Sequence, residues 1–184
     1  MTYEMDIAGL KRELPLCRVT DELYIGAFVM FGDVELTVHC AAELLKRAPE
    51  YDYLIAPEAK AIPLLYEIAR QSGAEKYFLA RKGAKAYMTG VFEVEVRSIT
   101  TMHIQKLVID TADAEMIKGK KVLIVDDVIS TGESLHAMEE LVKRAGGIIA
   151  GKMAVLAEGD AKDRDDIITL APLPLFNADG SVKE

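Results

Sequence analysis

Residues 122–134 constrain this chain more than any other stretch. They read Val122-Leu123-Ile124-Val125, then Asp126-Asp127, then Val128-Ile129, then Ser130-Thr131-Gly132-Glu133-Ser134. The four apolar residues mark a short strand buried on both faces. An amphipathic helical pattern, Leu135 to Arg144, follows the loop. So a strand ends on an acidic pair, and a small hydroxyl-rich loop opens a helix. In an open α/β sheet, ligands bind at the carboxyl ends of the strands. A helix start offers free backbone N–H groups and the positive end of the dipole, which suits a phosphate. Ser130, Thr131 and Ser134 add hydroxyl donors, and Gly132 lets the backbone come close. Asp126 and Asp127 repel phosphate, so they face something else: ribose hydroxyls, a divalent cation, or both. The bland alternative is a parallel strand whose terminal acids merely cap the next helix. Capping does not require both a doubled acid and a hydroxyl loop.

The rest of the chain sets the bounds. Its 184 residues favour one domain, and 51% apolar content supports a core without disulfides. A net charge of −8 argues against nonspecific nucleic-acid or anionic-membrane binding. An anionic ligand then needs locally placed cations. Cys17 and Cys40 have neither metal-like nor CxxC spacing and fit reduced thiols in a cytoplasmic protein. The first residues carry no signal-peptide pattern. No apolar run approaches the ~20 residues of a membrane span.

Residues 1–33 read as irregular, with 14–19 as a short edge strand. Leu23 to Phe31 is an apolar run, read first as core. Within it Phe28 and Phe31 are candidates for an apolar wall against a flat ligand. Asp33 is the expected N-cap of a helix whose stripe is Val34, Val38, Ala41, Leu45 and Ala48, stopped by Pro49. Tyr53 to Ala56 reads as the first central strand. The turn 57–61 leads into a helix carrying Ile62, Leu65, Ile68 and Ala69, which ends near Gly73. Lys76 to Ala80 is the second strand. It ends in Arg81-Lys82-Gly83-Ala84-Lys85, three cations in five residues of an acidic chain. Residues 88–105 alternate as a hairpin does, with Phe92, Val94 and Val96 on one side. Leu107 to Asp110 is a further strand, and residues 118–121 turn the chain into the 122–125 strand. Gly146-Gly147 stops the following helix. Ile148 to Leu156 is the last long apolar strand expected. The tail, 161–184, is polar and then proline-rich. Strands alternating with helices give the α/β class, an open, mainly parallel sheet flanked by helices.

The 122–134 stretch resembles the phosphoribosyl-pyrophosphate (PRPP) motif of type I phosphoribosyltransferases at all thirteen positions: four apolar residues, two acids, two apolar residues, then small-Thr-Gly-x-Ser/Thr. Pro57-Glu58-Ala59-Lys60-Ala61 resembles the Glu-Ala-Arg-Gly turn of the adenine-specific branch. Lys60 stands for Arg there, a point charge in place of a fork, and Ala61 stands for Gly. The Ala80-Arg81-Lys82 loop resembles that of the adenine and xanthine branches. The resemblance spans roughly residues 50–157.

It implies transfer of a 5-phosphoribosyl group from PRPP to a purine base, adenine first, giving a nucleoside monophosphate and pyrophosphate in purine salvage. Xanthine, hypoxanthine, guanine or orotate remain alternative acceptors. A non-catalytic PRPP-sensing regulator is the rival from another class, but the chain shows no basic helix-turn-helix stretch. A P-loop kinase is disfavoured because GxxxxGK[ST] is absent. By resemblance, Asp126 and Asp127 are the catalytic pair, holding the ribose hydroxyls and stabilising positive charge on the sugar. Ser130, Thr131, Gly132, Glu133 and Ser134 hold the 5-phosphate, with the Glu133 side chain expected to point outward. Ala59, Lys60, Arg81, Lys82 and Lys85 hold pyrophosphate. Mg²⁺ is the implied cofactor, bound chiefly through PRPP, with Asp126 and Asp127 as its candidate protein ligands. The family further implies a single domain over 1–184, a flexible hairpin flap over 85–106, a small hood from 1–33 and 161–184 that holds the base, and a homodimer. His103 falls in the flap and is read as structural.

Overall fold

Val122, Leu123, Ile124 and Val125 are all fully shielded from solvent, and they alternate between two separate cores. A strand with no polar face needs a layer on each side, which sets the architecture. The computed structural model describes residues 1–97 and 104–183. In chain order they form β1 (Thr2–Ile7), β2 (Leu10–Arg18), β3 (Tyr24–Gly26), α1 (Val34–Leu45), β4 (Tyr53–Pro57), α2 (Ile62–Ser72), β5 (Tyr77–Ala80) and β6 (Val91–Arg97). Then come β7 (Ile104–Asp110), α3 (Thr111–Ile117), β8 (Lys121–Ile129), α4 (Glu133–Arg144), β9 (Ile148–Glu158), a 3₁₀ turn (Gly159–Asp163), β10 (Ile168–Leu173) and β11 (Leu175–Phe176).

The central sheet has the order β10-β9-β8-β4-β5, and every pairing in it is parallel. Leu123 and Val125 enter one core with Leu36, Leu44, Leu65 and Ile68 of α1 and α2. Val122 and Ile124 enter the other with Leu135, Met138 and Leu141 of α4. The β6–β7 hairpin packs on that second side, where Val94, Val96, Leu107 and Ile109 are buried. An antiparallel sheet, β1-β2-β3-β11, adds Met5, Ile7 and Leu14 to the first core and brings the two ends of the chain together. This confirms the α/β class with a mainly parallel, two-sided sheet.

Several local expectations are corrected. Residues 1–33 are not irregular, because Met5 and Ile7 point inward while Thr2, Glu4 and Asp6 point out, a period of two. Residues 14–18 belong to β2, which is an inner strand between β1 and β3. On α1 the buried face is Leu36, Thr37, Cys40, Ala41 and Leu44, and Val34 is exposed. That helix is apolar on two faces, so periodicity alone did not choose between them. Pro49 does not stop α1, which ends at Leu45. Pro49 packs instead over Gly151, where an added Cβ would lie 2.9 Å from its Cγ. The 107–110 strand belongs to the hairpin and not to the central sheet. Helix α3 was not anticipated; Asp110 caps it by accepting from the Ala112 N–H at 3.1 Å. Beyond Ile148–Glu158, where a polar and then proline-rich tail was expected, the short β10 forms the outer edge, where Pro172 is tolerated.

Asp33 caps α1 as expected, accepting from the Leu36 N–H at 3.0 Å. The same carboxylate receives Arg12 Nε at 2.7 Å and Nη2 at 3.2 Å, tying β2 to the helix start. Arg12 holds the Asp33 carboxyl below its usual range. A lowered folded value means that the unfolded chain binds the proton more tightly, so this stabilisation is present above about pH 4 and fades below it. Asp33→Ala is expected to lose about 1 kcal/mol at pH 7 from the missing cap. Urea unfolding of both proteins at pH 7 and pH 3 checks it, with the gap narrowing at pH 3.

Candidate active site

The site arises where β8 outruns its neighbour. Pairing of β4 with β8 ends at Ile55–Ile124, whereas pairing of β8 with β9 continues to Ile129–Ala157. Asp126 and Asp127 therefore lie beyond the last β4 contact and open on a gap. The turn after β4 borders it. An open cleft of about 690 Å³ results, lined by Glu58, Ala59, Lys60, Lys82, Asp126, Asp127 and Ser134, with residues 104–107 of β7 across from them. The Glu58–Ala59 peptide in that turn is cis.

The acidic pair is tightly confined. The Asp127 side chain is 5% exposed, and Lys60 Nζ lies 3.1 Å from its Oδ2. That contact is an ion pair without hydrogen-bond alignment, so Oδ2 is a buried acceptor with no hydrogen bond. The Asp127 N–H donates to Asp126 Oδ1 at 2.9 Å. Burial, and next the charge of Asp127, push the Asp126 carboxyl up to about 8. Adjacent carboxylates in a dry setting resist being ionised together.

The predicted pyrophosphate residues do not behave alike. Ala59, Lys60 and Lys82 line the cleft. Arg81 lies outside its lining and donates from Nη1 to Glu58 Oε1 at 3.0 Å, with its guanidinium 5.6 Å over the Tyr87 ring. The Lys82 N–H also reaches Glu58, at 3.4 Å. Lys85 is exposed and away from the cleft lining. In the hydroxyl loop, Ser134 lines the cleft, Ser130, Thr131 and Gly132 form the adjoining bend, and Glu133 opens α4. Gly132 is the N-cap of α4 with φ at 81°, a left-handed position that disfavours other residues. Its own position supplies no capping side chain, and Thr131 Oγ1 accepts from the Glu133 N–H at 3.5 Å. Glu133 is half-buried.

Phe28 is buried in the first core, and Phe31 is exposed; neither lines this cleft. Phe28 and Met30 point in while Val29 and Phe31 point out, as an extended segment dictates. His103 and the tip of the expected flap, 98–103, lie outside the described residues. Glu58, named in the 57–61 turn without a role, lines the cleft and accepts from Arg81. The sequence reading missed Gln105 and Lys106, which reach the cleft only through tertiary packing of the hairpin.

A family model described as the phosphoribosyl transferase domain matches residues 37–172. The adenine phosphoribosyltransferase of Petrotoga mobilis is 33% identical over 125 residues, 66% of each chain. The orotate phosphoribosyltransferase of Caldanaerobacter subterraneus is 30% identical over 111 residues, 60% of this chain and 47% of that one. The chain thus spans about half to two thirds of the length of these curated relatives. The crystal structure of adenine phosphoribosyltransferase from Thermoanaerobacter pseudethanolicus superposes with a TM-score of 0.65 at 23% identity, covering 94% of this chain and 95% of the other. It shows the same fold.

The raised Asp126 value has a consequence for stability. The folded value lies above the unfolded value of about 4, so the folded chain holds the proton more tightly and loses stability as pH rises from about 4 to about 8. Asp126→Asn removes that slope. Its melting temperature is expected to match the parent near pH 4.5 and to exceed it by a few degrees, about 2–4 °C per kcal/mol, at pH 8.5. Thermal melts across that range check it.

Proposed function

The chain belongs to the phosphoribosyltransferase family, and from that premise we propose that it transfers the 5-phosphoribosyl group of PRPP to a purine base, adenine before any other. The observation that carries this reading is one cleft that brings together an acidic pair, Ser134 at the helix start and three lysines, Lys60, Lys82 and Lys106. The adenine-named relatives and the Pro57–Lys60 turn support adenine.

On this reading the 5-phosphate sits on the 130–134 loop, taken by amides and by the hydroxyls of Ser130, Thr131 and Ser134. Asp126 and Asp127 face the ribose. The bond from sugar C1 to the pyrophosphate oxygen breaks, with its electron pair leaving on pyrophosphate. A ring nitrogen of the base bonds to C1 and gives up its N–H proton to the departing pyrophosphate. Positive charge grows on the sugar between these events, and the two carboxylates stabilise it. Lys60 and Lys82 receive the departing pyrophosphate, with Arg81 joining them on release from Glu58. The reaction depends on position and charge more than on a protein nucleophile.

Magnesium suits this donor set. Among the described residues no cluster of three His, Cys, Asp or Glu side chains forms a metal cage, but Asp127 Oδ2 is a buried acceptor with no hydrogen bond. A divalent cation would take Asp126 and Asp127 while leaning on PRPP oxygens and water, and when bound it neutralises the leaving pyrophosphate. The β6–β7 hairpin serves as the flap that excludes water. The β1-β2-β3-β11 sheet is the hood that holds the base. The free thiols Cys17 and Cys40 fit action in the cytoplasm, and the family resemblance extends to a homodimer.

Pyrophosphate release with Mg²⁺ and PRPP, measured against adenine, xanthine, hypoxanthine, guanine, uracil and orotate, tests the proposal. Release is expected with adenine, and Asp126→Asn with Asp127→Asn is expected to lower it at least about a hundredfold. Activity that survives the double change sinks the catalytic reading. Thermal stabilisation by PRPP without release on any base points to a sensor.

A further inference from the structure

A phosphate on the 130–134 loop lacks a cation from its own motif. No Lys or Arg occurs between residues 122 and 142, while Asp126, Asp127 and Glu133 are all acidic. Arg164, thirty-odd residues downstream, comes to the same place. An added Cβ on Gly132 would lie 2.7 Å from Arg164 Nη1, so the guanidinium rests on the loop backbone.

How Arg164 is held determines what it presents. Nε donates to Asp166 Oδ1 at 2.8 Å and Nη2 to Asp166 Oδ2 at 2.7 Å. This fork satisfies one edge of the guanidinium and leaves Nη1 without a hydrogen bond among the described residues. Asp166 also pairs with Lys152 of β9, whose side chain is 14% exposed. Lys152 in turn lies 2.9 Å from Glu139 of α4. The chain Glu139–Lys152–Asp166–Arg164 therefore anchors the guanidinium to the helix whose first turn forms the loop. A lysine at 164 has one ammonium and no fork, so it cannot serve Asp166 and a loop ligand in the same way.

We propose that Arg164 is a further phosphate-binding residue, held by Asp166 and donating from Nη1 to the 5-phosphate seated on the 130–134 loop. The inference rests on the transferase reading above and adds a cation that no motif residue supplies. It also accounts for Gly132 twice, once through its left-handed backbone and once through the space that Arg164 occupies.

The test uses calorimetric binding of ribose 5-phosphate and of pyrophosphate, each with Mg²⁺, to the full chain, Arg164→Gln and Arg164→Lys. Both variants are expected to weaken ribose 5-phosphate tenfold or more and to leave pyrophosphate within about twofold, a separation that a general structural defect does not give. Arg164→Lys keeps a cation beside Asp166 and serves if Arg164→Gln does not fold. Unchanged ribose 5-phosphate affinity, or equal weakening of both ligands with a lower melting temperature, overturns the role of Arg164 while the transferase reading stands. Failure of the parent chain to bind ribose 5-phosphate overturns both.

Discussion

Two adjacent carboxylates near the carboxyl end of a doubly buried strand set the terms for everything around them. Carboxylates in such a place are costly to ionise, because they lose water and repel each other. Asp127 is relieved by Lys60, and Asp126 is left with a raised affinity for a proton. Nothing in the packing of β8 requires this arrangement, since apolar residues would fill the same space with less penalty. The pair persists where β8 no longer pairs with β4 and a ligand can enter. A functional site that works against the stability of its own fold is a familiar outcome of selection for activity.

The cations follow the same logic. In a chain with net charge −8, Lys60 is matched with Asp127, Arg81 with Glu58 and Arg164 with Asp166. Each of these three groups thus has a carboxylate that holds it in place before any ligand arrives. For Lys60 and Arg81, an entering phosphate competes with that carboxylate. Arg164 differs, because its fork to Asp166 leaves a separate N–H available. Phosphate binding on the proposed reading is therefore an exchange of partners at one end of the cleft and an addition at the other.

What was legible in the sequence was contiguous in it. The thirteen residues from Val122 to Ser134 form strand, acid pair, loop and helix start by local rules, except that β8 runs on through the pair to Ile129 before the loop opens. Lys60 and Lys82 were found because each follows a strand of the parallel sheet directly. Arg164 was missed because its partner Gly132 is distant in sequence and Asp-Arg-Asp-Asp reads as a solvated turn. Gln105 and Lys106 were missed for a similar reason, since only the docking of Val94, Val96, Leu107 and Ile109 against α4 brings the hairpin to the cleft. The β1–β3 strands were visible in the alternation of Met5 and Ile7 with charged neighbours, yet short mixed strands are weak signals beside an apolar run. Phe28 drew attention as an aromatic and is accounted for by the core.

The limits of the family match fall close to a boundary in the fold. Residues 37–172 take in most of α1, nearly all of the parallel sheet and the cleft, and leave out β1, β2, β3 and β11. Those four strands make up the small antiparallel sheet, joined across the chain ends by Leu175–Ile25 and Phe176–Tyr24. Relatives named for adenine and for orotate both align with this chain at similar identity. Phosphate binding and charge stabilisation need fixed geometry, which a two-sided parallel sheet supplies. On the proposed reading, recognition of a flat base needs only a wall of suitable shape, which a small separate sheet can vary without disturbing Asp126, Asp127 or the loop. On that reading, the division between a matched layer that carries the cleft and an unmatched small sheet is what a shared reaction with different acceptors would show.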